Sequence, residues 1–95
     1  MSTSINVTQF KTAVSELPSE YLLTELERMQ NALHHLERSN AEMLAQDASD
    51  AVFLLACKEN EQVMGRTRIR MQLIAAELKL RHAHEIRQEL EGVHL

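Results

Sequence analysis

The chain has 95 residues, ten Lys or Arg against fourteen Asp or Glu, and a formal net charge of −4. A chain of that length makes one domain with a modest core, and an acidic balance argues against a protein whose main partner is nucleic acid. Two Gly, one Pro and three aromatics, against abundant Leu, Ala, Glu, Arg, Met and Gln, select long helices over strands and predict an all-α fold.

Met1 to Ser4 is mostly small and polar, and residues 1–5 read as disordered. A short helix is expected over about 6–17, where Phe10, Ala13, Val14 and Leu17 recur at i, i+3, i+4 and i+7 and Asn6 or Thr8 could cap. Two to three turns are marginal in isolation, so this helix must dock on something. Pro18 restricts Leu17 and favours a new start, with Ser19 as a candidate cap and Glu20 suited to the helix dipole.

A long helix follows over about 19–45. In it Leu22, Leu26, Met29, Leu33, Leu36, Asn40 and Met43 fall at spacings of 4, 3, 4, 3, 4 and 3. That is a coiled-coil seam, apolar except at Asn40, and it requires a second helix to cover it. Residues 46–50 form the best turn candidate, with Asp47 or Ser49 as a cap and Asp50 near the next N-terminus. So short a connection makes antiparallel neighbours.

The last helix is expected over about 50–91, ended by Gly92, with Gly65 tolerated inside it or marking a slight bend. One of its stripes, Cys57, Asn60, Met64, Thr67, Met71, Ile74 and Leu78, is the natural mate of the first seam. A second stripe, Ile69, Leu73, Ala76, Leu80 and Ala83, is left over. The expected architecture is an antiparallel two-helix coiled-coil hairpin with the short N-terminal helix packed against the long C-terminal helix, residues 1–95 making one helical-hairpin domain. At 1.5 Å per residue the last helix outruns its partner by about 20 Å. That overhang carries Leu78, Leu80, Ala83, Ile86 and Leu90, of which the short helix is placed to cover a part. An uncovered remainder would be open to a partner.

Chemistry-bearing residues are sparse. Asn40 lies either inside the seam, paired with Asn60 and fixing register, or too near the turn to be buried. His34 and His35 are adjacent, and His82 and His84 two apart, so neither pair has the i, i+4 spacing that helical zinc ligands need. The one cysteine, Cys57, falls on an apolar stripe without an acid–base set and reads as core. With no internal disulfide possible, no apolar run of membrane-spanning length and no signal-peptide pattern at the start, a cytoplasmic location, also nuclear, is expected. Arg66, Arg68 and Arg70 make the only dense basic run, and Arg66 and Arg70 share a helix face. Residues 20–50 hold seven acids and two bases, a net −5, while residues 51–95 hold six acids and seven bases, a net +1. Pairing across the hairpin, or binding of an acidic protein surface or ribosomal RNA, would employ the run. No phosphate loop, paired carboxylates or metal cage is present, so the chain reads as non-enzymatic, with no cofactor and no small-molecule substrate.

Three blocks carry a resemblance. Phe10-Lys11-Thr12-Ala13-Val14-Ser15, His35-Leu36-Glu37-Arg38-Ser39-Asn40 and Glu59-Asn60-Glu61-Gln62-Val63-Met64, in that order, are similar to the fungal translation-machinery-associated family, also known as the ATPase-dedicated, stress-inducible proteasome assembly chaperone. The similarity spans roughly Phe10 to Ile86. The linker here is only a few residues, where family members can carry a longer acidic insertion, and the family's long polar tail is not part of this sequence. The resemblance implies a chaperone that engages the N-terminal helical region of one ATPase of the proteasome regulatory particle and promotes its pairing with a neighbouring ATPase. It also implies association with ribosomes. Leu36, Arg38, Ser39, Asn40, Glu59 and Asn60 fall on its motifs near the hairpin tip. Together with Arg66, Arg70, Leu73 and Leu80 on the last helix, Leu36, Arg38, Asn40, Glu59 and Asn60 are the candidate protein-binding residues. A homodimeric helical bundle, a structural coiled-coil subunit and a ribosome-associated binding module are the competing expectations.

Overall fold

The computed structural model describes residues 6–92; the expectation of disorder over residues 1–5 lies outside them. The described chain is all-helical: α1 spans Val7–Ser15, α2 Ser19–Gln46 and α3 Ala51–Glu91. The molecule measures 68 × 28 × 17 Å with a radius of gyration of 18.7 Å. A compact chain of this length would have a radius nearer ~12 Å, so the protein is a rod.

Local chemistry sets most of the boundaries. The Asn6 side chain accepts from the Gln9 amide at 3.0 Å and caps α1. The helix ends at Ser15, two residues short of the expected limit. Pro18 disfavours helical geometry at Leu17, and the chain closes with a turn in which the Leu17 amide donates to the Val14 carbonyl at 3.1 Å. Pro18 itself occupies the cap position of α2, with no side-chain capping bond. Ser19 therefore does not act as the cap, and its hydroxyl is used elsewhere.

Between α2 and α3, the Asp47 carboxylate accepts from the Ser49 hydroxyl at 2.7 Å and the Ser49 amide at 2.9 Å. Those hydrogen bonds, the hydroxyl's first, hold the Asp47 carboxyl below the usual aspartate range. Their stabilising contribution is present at neutral pH and is lost as acid protonates the group. Asp50 caps α3 through the Val52 and Phe53 amides, at 2.8 and 3.0 Å. The cap is therefore Asp50 itself, the residue with the right geometry once Asp47 is committed to the turn.

Cross-helix bonds fix the relative direction of α2 and α3. Asn40 meets Asn60, Glu37 meets Arg68 and Ser19 meets Arg81, so residue numbers rise on α3 as they fall on α2. Every member of the Leu22–Met43 stripe is buried or half-buried, as is every member of the Cys57–Leu78 stripe. The tightest packing lies where all three helices meet. There Val14, Leu22 and Ile74 are at most 3 % exposed, with Phe10, Leu17, Leu26, Met29 and Leu78 against them. α3 is continuous through Gly65, where a Cβ would meet nothing within 4 Å.

α1 is held by a single guanidinium as well as by its apolar face. Its last turn contains no basic residue. Arg81 of α3 donates to the Val14 and Ser15 carbonyls at 3.2 and 3.3 Å and to the Ser19 hydroxyl at 2.9 Å. It thus satisfies the Ser15 carbonyl, gives the Val14 carbonyl a second donor beside the Leu17 amide, opposes the negative end of the α1 dipole and ties the start of α2 to the same point. Glu77, one turn earlier, lies 3.7 Å from Arg81 and helps aim it. With α1 turned back along the pair, the stretch of α3 beyond Arg81 stands alone, and Leu90 is 68 % exposed.

Two substitutions check this account. Arg81→Ala should raise hydrogen-exchange rates in α1 about 10- to 100-fold, the equivalent of about 1–3 kcal/mol, and leave the middle of α2 nearly unchanged. Equal acceleration throughout would mean that Arg81 supports the whole molecule rather than α1. Gly65→Ala should stabilise the protein to urea by about 0.5–1 kcal/mol, since the site is helical and has room for the methyl group.

Candidate protein-binding interface

The candidate residues separate into two groups. One lies near the α2/α3 connection and the other on the outer face of α3. Between Asn60 and Arg66 α3 rises only about 9 Å, so facing direction rather than distance separates the groups: Asn60 bonds Asn40 in the seam, while Arg66, Ile69, Arg70, Leu73 and Leu80 lie to the other side of α3.

Near the connection, the central side chains are turned inward. Asn40 is 9 % exposed. The Asn60 amide donates to Asn40 Oδ1 at 2.8 Å, and Asn40 Nδ2 donates to the Cys57 carbonyl at 3.4 Å. The Cys57 thiol, itself buried, makes a weak 3.9 Å contact to the Asn40 carbonyl. These amides satisfy each other in a seam otherwise made of Leu and Met. A polar pair of this kind opposes slippage, because moving it by one turn would bury both groups unpaired. Leu36 is half-buried in the same seam. What this end presents to solvent is Arg38, Glu59 and an apolar fringe. Arg38 lies 3.9 Å from Glu42 with both side chains exposed, a contact worth little. The fringe includes Val52, Leu54 and Leu55, all well exposed.

The second group is arranged differently. Arg66, Arg70 and Leu73 are half-buried, while Ile69 and Leu80 are 43 % and 67 % exposed. They share a face of α3 turned away from α2. Of the three arginines in the basic run, only Arg68 reaches an acid of α2, Glu37 at 3.3 Å. Arg66 and Arg70 have no ion pair among the described residues. Alongside them α1 forms one bank of an open groove of about 320 Å³. Its walls are Lys11, Val14 and Ser15 of α1 and Leu73, Ala76, Glu77 and Leu80 of α3. Most of this wall is apolar.

Sequence reasoning located Leu73 and Leu80 from the leftover stripe. It placed α1 against α3 but singled out neither Lys11 nor Arg81. The one local signal for Arg81 was Glu77 four residues earlier, a spacing common on helix surfaces. His34, His35, His82 and His84 are all exposed, and among the described residues no three His, Cys, Asp or Glu side chains converge. No described helix is long and apolar enough to cross a membrane.

The amide pair gives a test. Asn60→Ala, which leaves Asn40 Oδ1 buried without its donor, should cost about 1–3 kcal/mol in urea unfolding. Replacing both Asn40 and Asn60 by Leu should be nearly neutral, because both polar groups go together. A double variant as unstable as the single one would refute mutual satisfaction as the reason for the pair.

Comparison with known proteins then bears on what these surfaces serve. No curated protein and no solved structure matches the chain. The family model described as the TMA17 helical domain matches residues 6–84, a span that takes in α1, α2, the connection and α3 past Arg81. The chain belongs to the TMA17 helical-domain family, the family of the ATPase-dedicated proteasome assembly chaperone.

Proposed function

We propose that the protein is a proteasome assembly chaperone that binds an ATPase subunit of the regulatory-particle base and promotes its pairing with a neighbouring ATPase. The observation that carries this reading is the family match over residues 6–84. It acts by binding, not by catalysis. The α2/α3 pair serves as a coiled-coil hairpin, a rigid bar whose own seam is already filled. Its partner is the N-terminal helical region of the ATPase, and the work is done in the cytoplasm and nucleus, in response to stress.

The physical logic is that of a placeholder. An ATPase helix that must later pair with another subunit exposes an apolar edge until it does so. A chaperone with its own spare apolar face can cover that edge reversibly, because a small, partly polar contact leaves faster than an obligate one. A rod supplies such a face without a deep pocket or a conformational lid.

Affinity capture tests this. Tagged protein incubated with a lysate should recover base ATPases of the regulatory particle, with one of them in excess. Recovery of ribosomal proteins with no base ATPase would overturn the proposal in favour of a ribosome-associated module. Recovery of the chain alone would favour a self-contained bundle.

A further inference from the structure

The outer face of α3 carries an unusual combination for an acidic protein. Arg66, Ile69, Arg70, Leu73, Ala76 and Leu80 follow one another at helical spacing on one face. Ile69, Ala76 and Leu80 are exposed, and Leu73, Ala76 and Leu80 line the groove beside α1. The rim is cationic. Arg66 and Arg70 stand at one end, Lys11 on the α1 bank and Lys79 on the other side, one residue before Leu80. None of these four has an ion pair among the described residues. The one acid in the wall, Glu77, is already engaged by Arg81 at 3.7 Å. The chain as a whole is −4, so this rim runs against the general charge of the molecule.

We propose that this face, from Arg66 to Leu80 with α1 as its bank, is a docking groove for an acidic amphipathic helix of another protein, about four turns long. The length follows from the rise of α3 between its ends, about 21 Å. The apolar band takes the ligand's apolar edge, as a helix lies in a groove, and the four cations face acids on its flanks. A second copy of this chain is a poor occupant, because a two-fold contact through this face would set arginine and lysine rims against their own likes. Single-stranded RNA is also a poor occupant. The described aromatics, Phe10, Tyr21 and Phe53, lie outside the band, so bases have no stacking platform. The inference rests on the protein-binding reading above, and it assigns the surface and the chemistry of the partner rather than the partner's identity.

The test uses the whole chain and an 18-residue synthetic peptide with Leu at i, i+3, i+4 and i+7 positions and Glu on the flanks. A second peptide carries Lys in place of every Glu. Fluorescence anisotropy should show binding of the Glu peptide and not of the Lys peptide. Amide shifts should fall on Ile69–Leu80 and α1. Arg66→Glu with Arg70→Glu should weaken binding of the Glu peptide at least about tenfold and admit the Lys peptide, and Leu80→Asp should also weaken it about tenfold or more. These residues lie outside the buried cluster, and helicity by circular dichroism should be unchanged.

Equal binding of the two peptides, shifts centred on the α2/α3 connection, or no binding would overturn the groove. So would stronger binding of polyuridine through the same arginines, or self-association that Leu80→Asp abolishes. Lysate capture with the same variants separates this inference from the function. Base ATPases still captured by the charge-reversed variant would sink the groove and leave the chaperone reading standing. Peptide binding without any capture of base ATPases would do the reverse.

Discussion

The edge of α2 from Leu22 to Met43 cannot stay in water, and α3 is what covers it. A helix with one apolar edge gains little from its own hydrogen bonds at this length unless that edge is buried. The stripe from Cys57 to Leu78 supplies the cover, and all fourteen positions of the two stripes are at least half-buried. The rest follows from that contact. It sets the direction of α3, brings Asn60 to Asn40, and places Arg81 beside the start of α2. It also consumes the most apolar surface that the chain has, which moves any binding function to what is left uncovered.

α1 occupies part of that remainder, and its attachment shows how a marginal helix is held. Nine residues make about two and a half turns, too few to persist alone. Val14 enters the cluster with Leu22 and Ile74, and Arg81 takes the two carbonyls at the helix end. The same guanidinium bonds Ser19, so the bend around Pro18 is fixed on both sides by one side chain. Because α1 folds back along the pair, it becomes the bank of a groove and leaves the far end of α3 bare.

Much of this was legible from residue spacing. Stripes at alternating steps of three and four identified the seam, its mate and the spare face of α3, because helix geometry converts spacing directly into facing direction. The Asn40–Asn60 encounter was foreseeable for the same reason, but its burial was not. That depends on how closely the helices approach before the turn, which Asp47, Ser49 and Asp50 set through four short hydrogen bonds. Two turns before that tight connection, Asn40 is already enclosed. The α1 limit at Ser15 follows from Pro18, a local signal, whereas the use made of the Ser19 hydroxyl was hidden for a different reason. Ser19 is bonded by a residue 62 positions away, and no local rule for capping contains that information. The docking of α1 on α3 was expected, but the groove between them was not legible, since it depends on how closely the two helices approach.

Charge explains why the uncovered surface is not simply a defect. Across α2 the balance is acidic, and only Arg68 of the basic run is used to answer it, through Glu37. An internal role for the run would have placed Arg66 and Arg70 toward α2 as well. Neither is so placed: Arg66 and Arg70, four residues apart, lie together to one side of the seam and make no ion pair with α2 among the described residues. Moving the arginines into the seam would bury charge against Leu and Met, at a cost no exposed ion pair returns. The sequence therefore keeps two strong cations beside an apolar band on a face of α3 that α2 leaves open and α1 covers only in part. A surface of that composition stays soluble while unoccupied, because the guanidinium groups remain hydrated. It favours partners that bring both apolar contact and negative charge, since either one alone satisfies only half of it.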